Sequence, residues 1–249
     1  MADLHRRGLL ALGLAAGTGA SAQPSLRPGP KLTPAVTEGP YYLAGAPIRA
    51  DIAEDLPGVA VELRFHVFDE HGAPLKGARV DVWHCDAQGR YSGVDALQAQ
   101  RFLRGVQPVD DGGAASFRTV YPGWYQGRTT HIHYKVWLGQ QALLTSQVFL
   151  PDALNEFLYL QAADYRRGRP RDTLNRNDGI ARQGGEATFA AVAEGEDRYR
   201  VDFDVVVDRN ARPRAEGFMG PPPGPPPGDF GRRESLTGEA RVAALLPKT

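Results

Sequence analysis

A chain of 249 residues with 29 basic and 29 acidic side chains has no net charge to draw it to a polyanion, and no basic stripe runs along it. That argues against nucleic-acid binding. Its single cysteine, Cys85, excludes an internal disulfide framework, so an ordinary hydrophobic core must supply the stability.

Residues 1–22 read as a targeting segment. His5, Arg6 and Arg7 make a basic start, residues 8–17 carry no charge, and Ala20-Ser21-Ala22 supplies a small-residue cleavage pattern. The apolar run is shorter than the about 20 residues that span a bilayer, so stable membrane insertion is not expected. Arg6-Arg7 followed by Gly8, Leu9 and Leu10 is similar to a twin-arginine signal. An exported protein, periplasmic or extracellular, is the expectation. Residues 23–32 read as a linker and 33–208 as one globular domain. Residues 209–249 read as a Pro/Gly-rich tail, whose GPPPGPPPG run at 220–228 lacks the apolar content to offset chain ordering and is predicted to be disordered.

The body reads as mainly β. Val61, Leu63, Phe65 and Val67 alternate with Glu62, Arg64 and His66, the pattern of a half-buried strand. Turn signals at 69–74, 86–90 and 110–113 separate further strand candidates at 78–83, 116–120, 131–138, 143–150 and 199–207. Many short strands between turns predict a β-sandwich or barrel. A helix is expected only at about 153–163, behind an Asp152 cap. The stretches 92–106 and 166–189 are predicted to be long loops on the rigid β framework, where sites tend to sit.

The chemistry-bearing signal is His131-Ile132-His133. In a strand, residues two apart share a face, so both imidazoles suit one metal ion, or else form an ordinary hydrogen-bonded pair. Just upstream, Pro122, Gly123, Trp124, Tyr125, Gly127 and Arg128 crowd aromatic, turn and cationic residues against the strand. His84 and Cys85 are adjacent and would point apart. They read as a core or supporting group and a small buried residue.

Three blocks, TEGPYY at 37–42, VWHCDAQGRY at 82–91 and YPGWYQGRTTHIH at 121–133, resemble the intradiol ring-cleavage dioxygenases, in that family's order. The resemblance runs from about 33 to 208 and is nearest the exported, single-domain branch. It implies a transthyretin/prealbumin-like sandwich core, with Tyr91 and Tyr125 as tyrosinate ligands and His131 and His133 as histidine ligands of one iron(III) per chain. Tyr125 matches the ligand that detaches when substrate binds, Arg128 the active-site arginine, and Gln147 the active-site glutamine. Tyr41 and Tyr42 would line the substrate cleft. The partner implied is a small aromatic diol, cleaved between its hydroxyls with O2 as co-substrate to a muconate-type diacid. Homo-oligomer formation is left open. The short 125–131 linker departs from the protocatechuate enzymes and implies a differently shaped pocket.

The ligand set is also reasonable on its own chemistry. Two phenolates are hard, strongly donating anions that favour a trivalent ion, and a tyrosine of pKa about 10 ionises near neutrality only beside a strong cation. Two rivals stand beside this reading. A transthyretin-like carrier or polymer-binding sandwich would need no iron. A cupin-type HxH enzyme would need a further Glu or His, and no convincing one follows His133.

Overall fold

In the computed structural model the described residues are 30–212 and 238–245. The targeting segment, most of the linker and residues 213–237 lie outside them. Eight strands make two four-stranded sheets: β1 (Ala60–Asp69), β2 (Ala78–Trp83), β3 (Arg104–Pro108), β4 (Ala114–Val120), β5 (His131–Leu138), β6 (Gln141–Phe149), β7 (Ala191–Glu194) and β8 (Tyr199–Val207). One sheet runs β4-β1-β8-β7 and the other β3-β2-β5-β6. Their facing surfaces close the core. Val61, Leu63, Phe65 and Val67 from β1, and Val201, Phe203 and Val205 from β8, meet Val80 and Val82 of β2 and Ile132, Tyr134 and Val136 of β5. Phe65 and Phe203 both pack on Tyr134, with ring centroids at 5.0 and 5.8 Å. Period-2 alternation thus becomes a sandwich, as expected.

The strand predictions at 78–83, 131–138 and 199–207 agree with the structure, and those at 61–67, 116–120 and 143–150 differ only at their ends. Two strands were not expected. β3 occupies the end of the predicted 92–106 loop, and β7 is a short edge strand. The predicted 166–189 loop contains α2 (Gly179–Gly184) and short 3-10 turns.

Helix α1 (Asp152–Gln161) forms where periodicity placed it, but Asp152 is its first residue and not its cap. Pro151 takes the cap position without a side-chain bond. The Asp152 carboxylate instead accepts from Arg171 Nη1 at 2.6 Å and from the Asn175 backbone N–H at 3.0 Å, tying the following loop to the helix.

The tail expectation also needs correction. Residues 238–245 form helix α3, and Arg241 forms an ion pair with Glu156 of α1, through Nε to Oε1 and through Nη2 to Oε2 at 2.7 Å. Charge pairing holds this short helix, which explains why a search for apolar periodicity missed it. Among the described residues no helix is long and apolar enough to cross a membrane.

Candidate metal centre

β5 carries two surfaces at once. Its even-numbered residues enter the core, so His131, His133 and Lys135 face the other side of the sheet. That outer face is also covered, because His131 and His133 are both buried. Register sets the neighbours: His133 lies opposite Trp83 of β2 and Gln147 of β6, making a row across three strands. Trp83 stacks on His133, with centroids at 4.9 Å and planes 11° apart.

The two tyrosines arrive on loops locked together by glycines. Asp86 organises the 86–91 turn, accepting from Gln88 N at 2.9 Å, Arg90 N at 2.8 Å and Arg90 Nε at 2.8 Å. A Cβ on Gly89 would run into the Trp124 carbonyl. One on Gly123 would run into the Ala87 carbonyl and lie 2.7 Å from Asp86 O. Only bare glycine backbone allows the turn and the 121–127 loop to lie this close. Gly123 N–H donates to Asp86 O at 3.0 Å, and the Cys85 thiol donates to Gly123 O at 3.4 Å. Tyr91 and Tyr125 are thereby brought edge to face at 5.8 Å.

The four side chains converge. His131 donates Nδ1–H to Thr129 O at 2.6 Å, which fixes its tautomer and leaves a lone pair on Nε2. That Nε2 lies 3.1 Å from His133 Nε2 and 3.1 Å from the Tyr125 hydroxyl. The Tyr91 hydroxyl is buried with no hydrogen bond of sound geometry, and His133 Nδ1 is buried without a partner. The two Nε2 atoms and the two phenol oxygens of this cluster suit a shared cation. Burial raises both phenols above the ordinary tyrosine value, with the neighbouring Tyr125 adding to Tyr91. Burial lowers both imidazoles, helped by Arg128 at His131 and by His131 at His133. The protein alone therefore holds neutral phenols and neutral imidazoles, and ionising the phenols takes a strong positive charge placed among them. Among the described residues no three His, Cys, Asp or Glu side chains gather to hold a metal; this cluster instead mixes two histidines with two tyrosines.

Arg128 and Gln147 belong to the same group: Arg128 Nη2 donates to Gln147 Oε1 at 2.6 Å, and Arg128 Nη1 lies 3.4 Å from His131 Nε2. Tyr41 stacks on Tyr91 at 4.3 Å and meets Tyr125 edge-on at 6.3 Å, forming an aromatic wall. Tyr42 does not join it. Its hydroxyl donates to Asp81 Oδ2 at 2.9 Å, and its ring packs on Trp83 behind His133.

Three supporting residues escaped the sequence reading. Trp83 read only as a strand residue. Arg104 is fully buried and donates to Tyr41 O at 2.6 Å and Ser92 O at 2.7 Å, pinning the aromatic wall. Asp178 holds Arg128. Nothing local distinguishes a buried Arg or Asp of this kind, because the partners lie dozens of residues away. His84 and Cys85 are both buried, as expected, and His84 lies within hydrogen-bond reach of Thr119 Oγ1 at 2.7 Å and Cys85 O at 2.8 Å.

The two-sheet sandwich thus carries its His/Tyr cluster on the outer face of the β3-β2-β5-β6 sheet. A family model described as Dioxygenase matches residues 37–208. The chain is 32% identical over 158 residues to a catechol 1,2-dioxygenase of Pseudomonas sp. (strain EST1001), covering 53% of this chain and 52% of that protein. It is 37% identical over 139 residues to catechol 1,2-dioxygenase 2 of Acinetobacter lwoffii, covering 47% and 50%. The chain thus spans about half the length of these curated relatives. An intradiol ring-cleavage dioxygenase from Tetranychus urticae superposes with a TM-score of 0.69 at 26% identity, covering 74% of this chain and 98% of that one. Catechol 1,2-dioxygenase from Pseudomonas arvilla C-1 gives 0.55 at 25% identity, covering 74% and 65%. The chain belongs to the intradiol ring-cleavage dioxygenase family.

Proposed function

We propose that this protein is a non-haem iron(III) dioxygenase that cleaves a catechol-type ring between its hydroxyls, with O2, to a muconate-type diacid. The observation that carries the reading is the convergence of Tyr91, Tyr125, His131 and His133, whose donor atoms fit a trivalent ion. Those four residues would hold the iron. When bound, iron(III) supplies the charge that ionises the phenols and the redox centre that makes a catecholate reactive toward O2.

The protein's own residues do the rest. Tyr125 sits on a loop and not on a strand, and its Oη is suited to accept a proton from an incoming substrate hydroxyl. Tyr41 closes one side of the space beside Tyr91. Arg128 holds Nη1 3.4 Å from His131 Nε2, a fixed cation suited to negative charge developing on a ring bound beside the cluster. Gln147 holds that guanidinium from β6. The targeting pattern at 1–22 supports an exported protein, and the paired Arg6-Arg7 supports the twin-arginine route.

The test uses the purified full chain. One iron per chain, a red to burgundy colour that shifts on adding catechol, and a colourless diacid identified by mass and NMR are expected. His131→Ala and His133→Ala should lose iron and colour while keeping the β-rich fold. A colourless zinc protein, or a yellow semialdehyde product, would overturn the proposal.

A further inference from the structure

The Arg128 guanidinium is held at two of its three nitrogens. Nε donates to Asp178 Oδ2 at 2.9 Å and Nη2 donates to Gln147 Oε1 at 2.6 Å, leaving Nη1 beside His131 Nε2 at 3.4 Å. A guanidinium is a rigid planar fork, so fixing two corners fixes where the third points. Gln147 is itself fixed from behind, because its Nε2 donates to Thr37 O at 2.8 Å.

Asp178 divides its two oxygens between two tasks. Oδ2 accepts from Arg128 Nε and from the Thr129 backbone N–H, both at 2.9 Å. Oδ1 caps α2, accepting from Ile180 N at 2.8 Å and Ala181 N at 3.0 Å. Thr129 is also the residue whose carbonyl accepts the His131 Nδ1–H. One carboxylate, 1% exposed, therefore braces both the arginine and the backbone that orients a histidine of the cluster.

We propose that Asp178 is a positioning residue of the ring-cleavage reaction: it aims Arg128 Nη1 at the substrate space and moderates the positive field there. The inference rests on the dioxygenase reading above. It predicts a separation of two roles that substitution can resolve. In Asp178→Asn one oxygen remains to cap α2, while the group facing Arg128 and Thr129 becomes an NH2 donor that cannot accept their hydrogens. In Asp178→Ser the side chain still suits a helix N-cap but is too short to reach Arg128.

The experiment compares the iron-loaded full chain with both variants and with Arg128→Ala. Both Asp178 variants should still bind iron and show colour, at or below the parent's level because Thr129 also orients His131, so turnover is read per bound iron. Turnover should fall by roughly 10- to 100-fold, mostly in kcat and not in KM. Per bound iron, neither should lower turnover further when combined with Arg128→Ala, since in the chemical step the two act as one unit. In the metal-free protein, the Arg128 Nε–H resonance should exchange slowly with solvent in the parent and fast in the variants. An active parent with Asp178→Asn turning over within a factor of two of it would overturn the inference, as would additive losses on Arg128→Ala. If neither variant folds, the parent decides. An Arg128 Nε–H that exchanges as fast as an exposed arginine's sinks the proposal. A parent that is colourless and inert toward catechols refutes the functional reading instead, while the exchange measurement still judges the brace.

Discussion

Replacing Gly123 with Ala adds one methyl group at the contact between the two tyrosine-bearing loops. Its Cβ would lie 2.6 Å from Ala87 C and 2.7 Å from Asp86 O, with Ala87 O nearer still. All three atoms are backbone, so no rotamer change relieves the clash. Ordinary contact begins at 3.4 Å, so the nearest atom, Ala87 O, requires the 86–91 turn and the 121–127 loop to part by about 1 Å. Overpacking of this kind costs about 1–3 kcal/mol. For a domain of this size that lowers Tm by about 2–4 °C per kcal/mol. The larger effect should fall on the metal, because the same movement carries Tyr91 away from Tyr125 and the histidines. Differential scanning calorimetry and iron stoichiometry on the same preparation separate the two. The expected result is a variant that still folds and melts somewhat lower, with weak colour and little activity. Full iron and unchanged turnover would show that the glycine contact does not position Tyr91.

Two further outcomes follow from buried charge. Ending the chain after Arg212 removes Arg241, which with Arg171 outweighs the burial of Glu156 and holds that carboxyl below its usual range. The shortened protein should lose about 1–3 kcal/mol, read as a lower Tm with iron binding intact. An unchanged Tm would show that α3 contributes nothing to the fold. Burial holds His84 down to about 4 against its usual 6.5, so between those values the unfolded chain binds a proton that the folded chain refuses. Stability is therefore full above pH 6.5 and falls as pH drops toward 4, by about 3 kcal/mol from this residue. His84→Gln should reduce that slope in urea melts of the metal-free protein, with the buried His131 and His133 keeping the rest of it, and an identical slope would assign the acid sensitivity elsewhere.

The sandwich was readable because β1 buries one face in strict alternation and β8 does so over residues 199–205, whereas β2 and β5 are buried on both faces. The site was readable because two of its donors are a strand-spaced pair and the others lie in short turn motifs. β3 hid because Arg104, Gly105 and Pro108 do not alternate as a strand should. Its Gly105 leaves room for Ile52 and the Arg49 carbonyl, a demand imposed from a distant segment. α2 hid because six residues opening and closing on glycine show no period. Asp178 hid for a related reason. Beside Gly179 it reads as turn chemistry, and its bond to Arg128 spans 50 positions of chain. Charge pairing over distance leaves no periodic trace, which is also why α3 passed for part of a structureless tail.

The parallel pairing of β1 with β8 bears on how the protein is made. Val61 through Asp69 align with Tyr199 through Val207, so β1 waits for β8, some 130 residues further along the chain, before its second edge is filled. The start of the segment ahead of β1 waits with it. Thr33 exchanges backbone and hydroxyl bonds with Val206, both at 2.9 Å, and a few residues further on the same segment supplies Thr37 to Gln147 and Tyr41 to the aromatic wall. Those last contacts reach β6 and β3 and not β8, so only the Thr33 end of the segment waits. Pairings of such long sequence separation close late, so the β4-β1-β8-β7 sheet is completed only once β8 has been made.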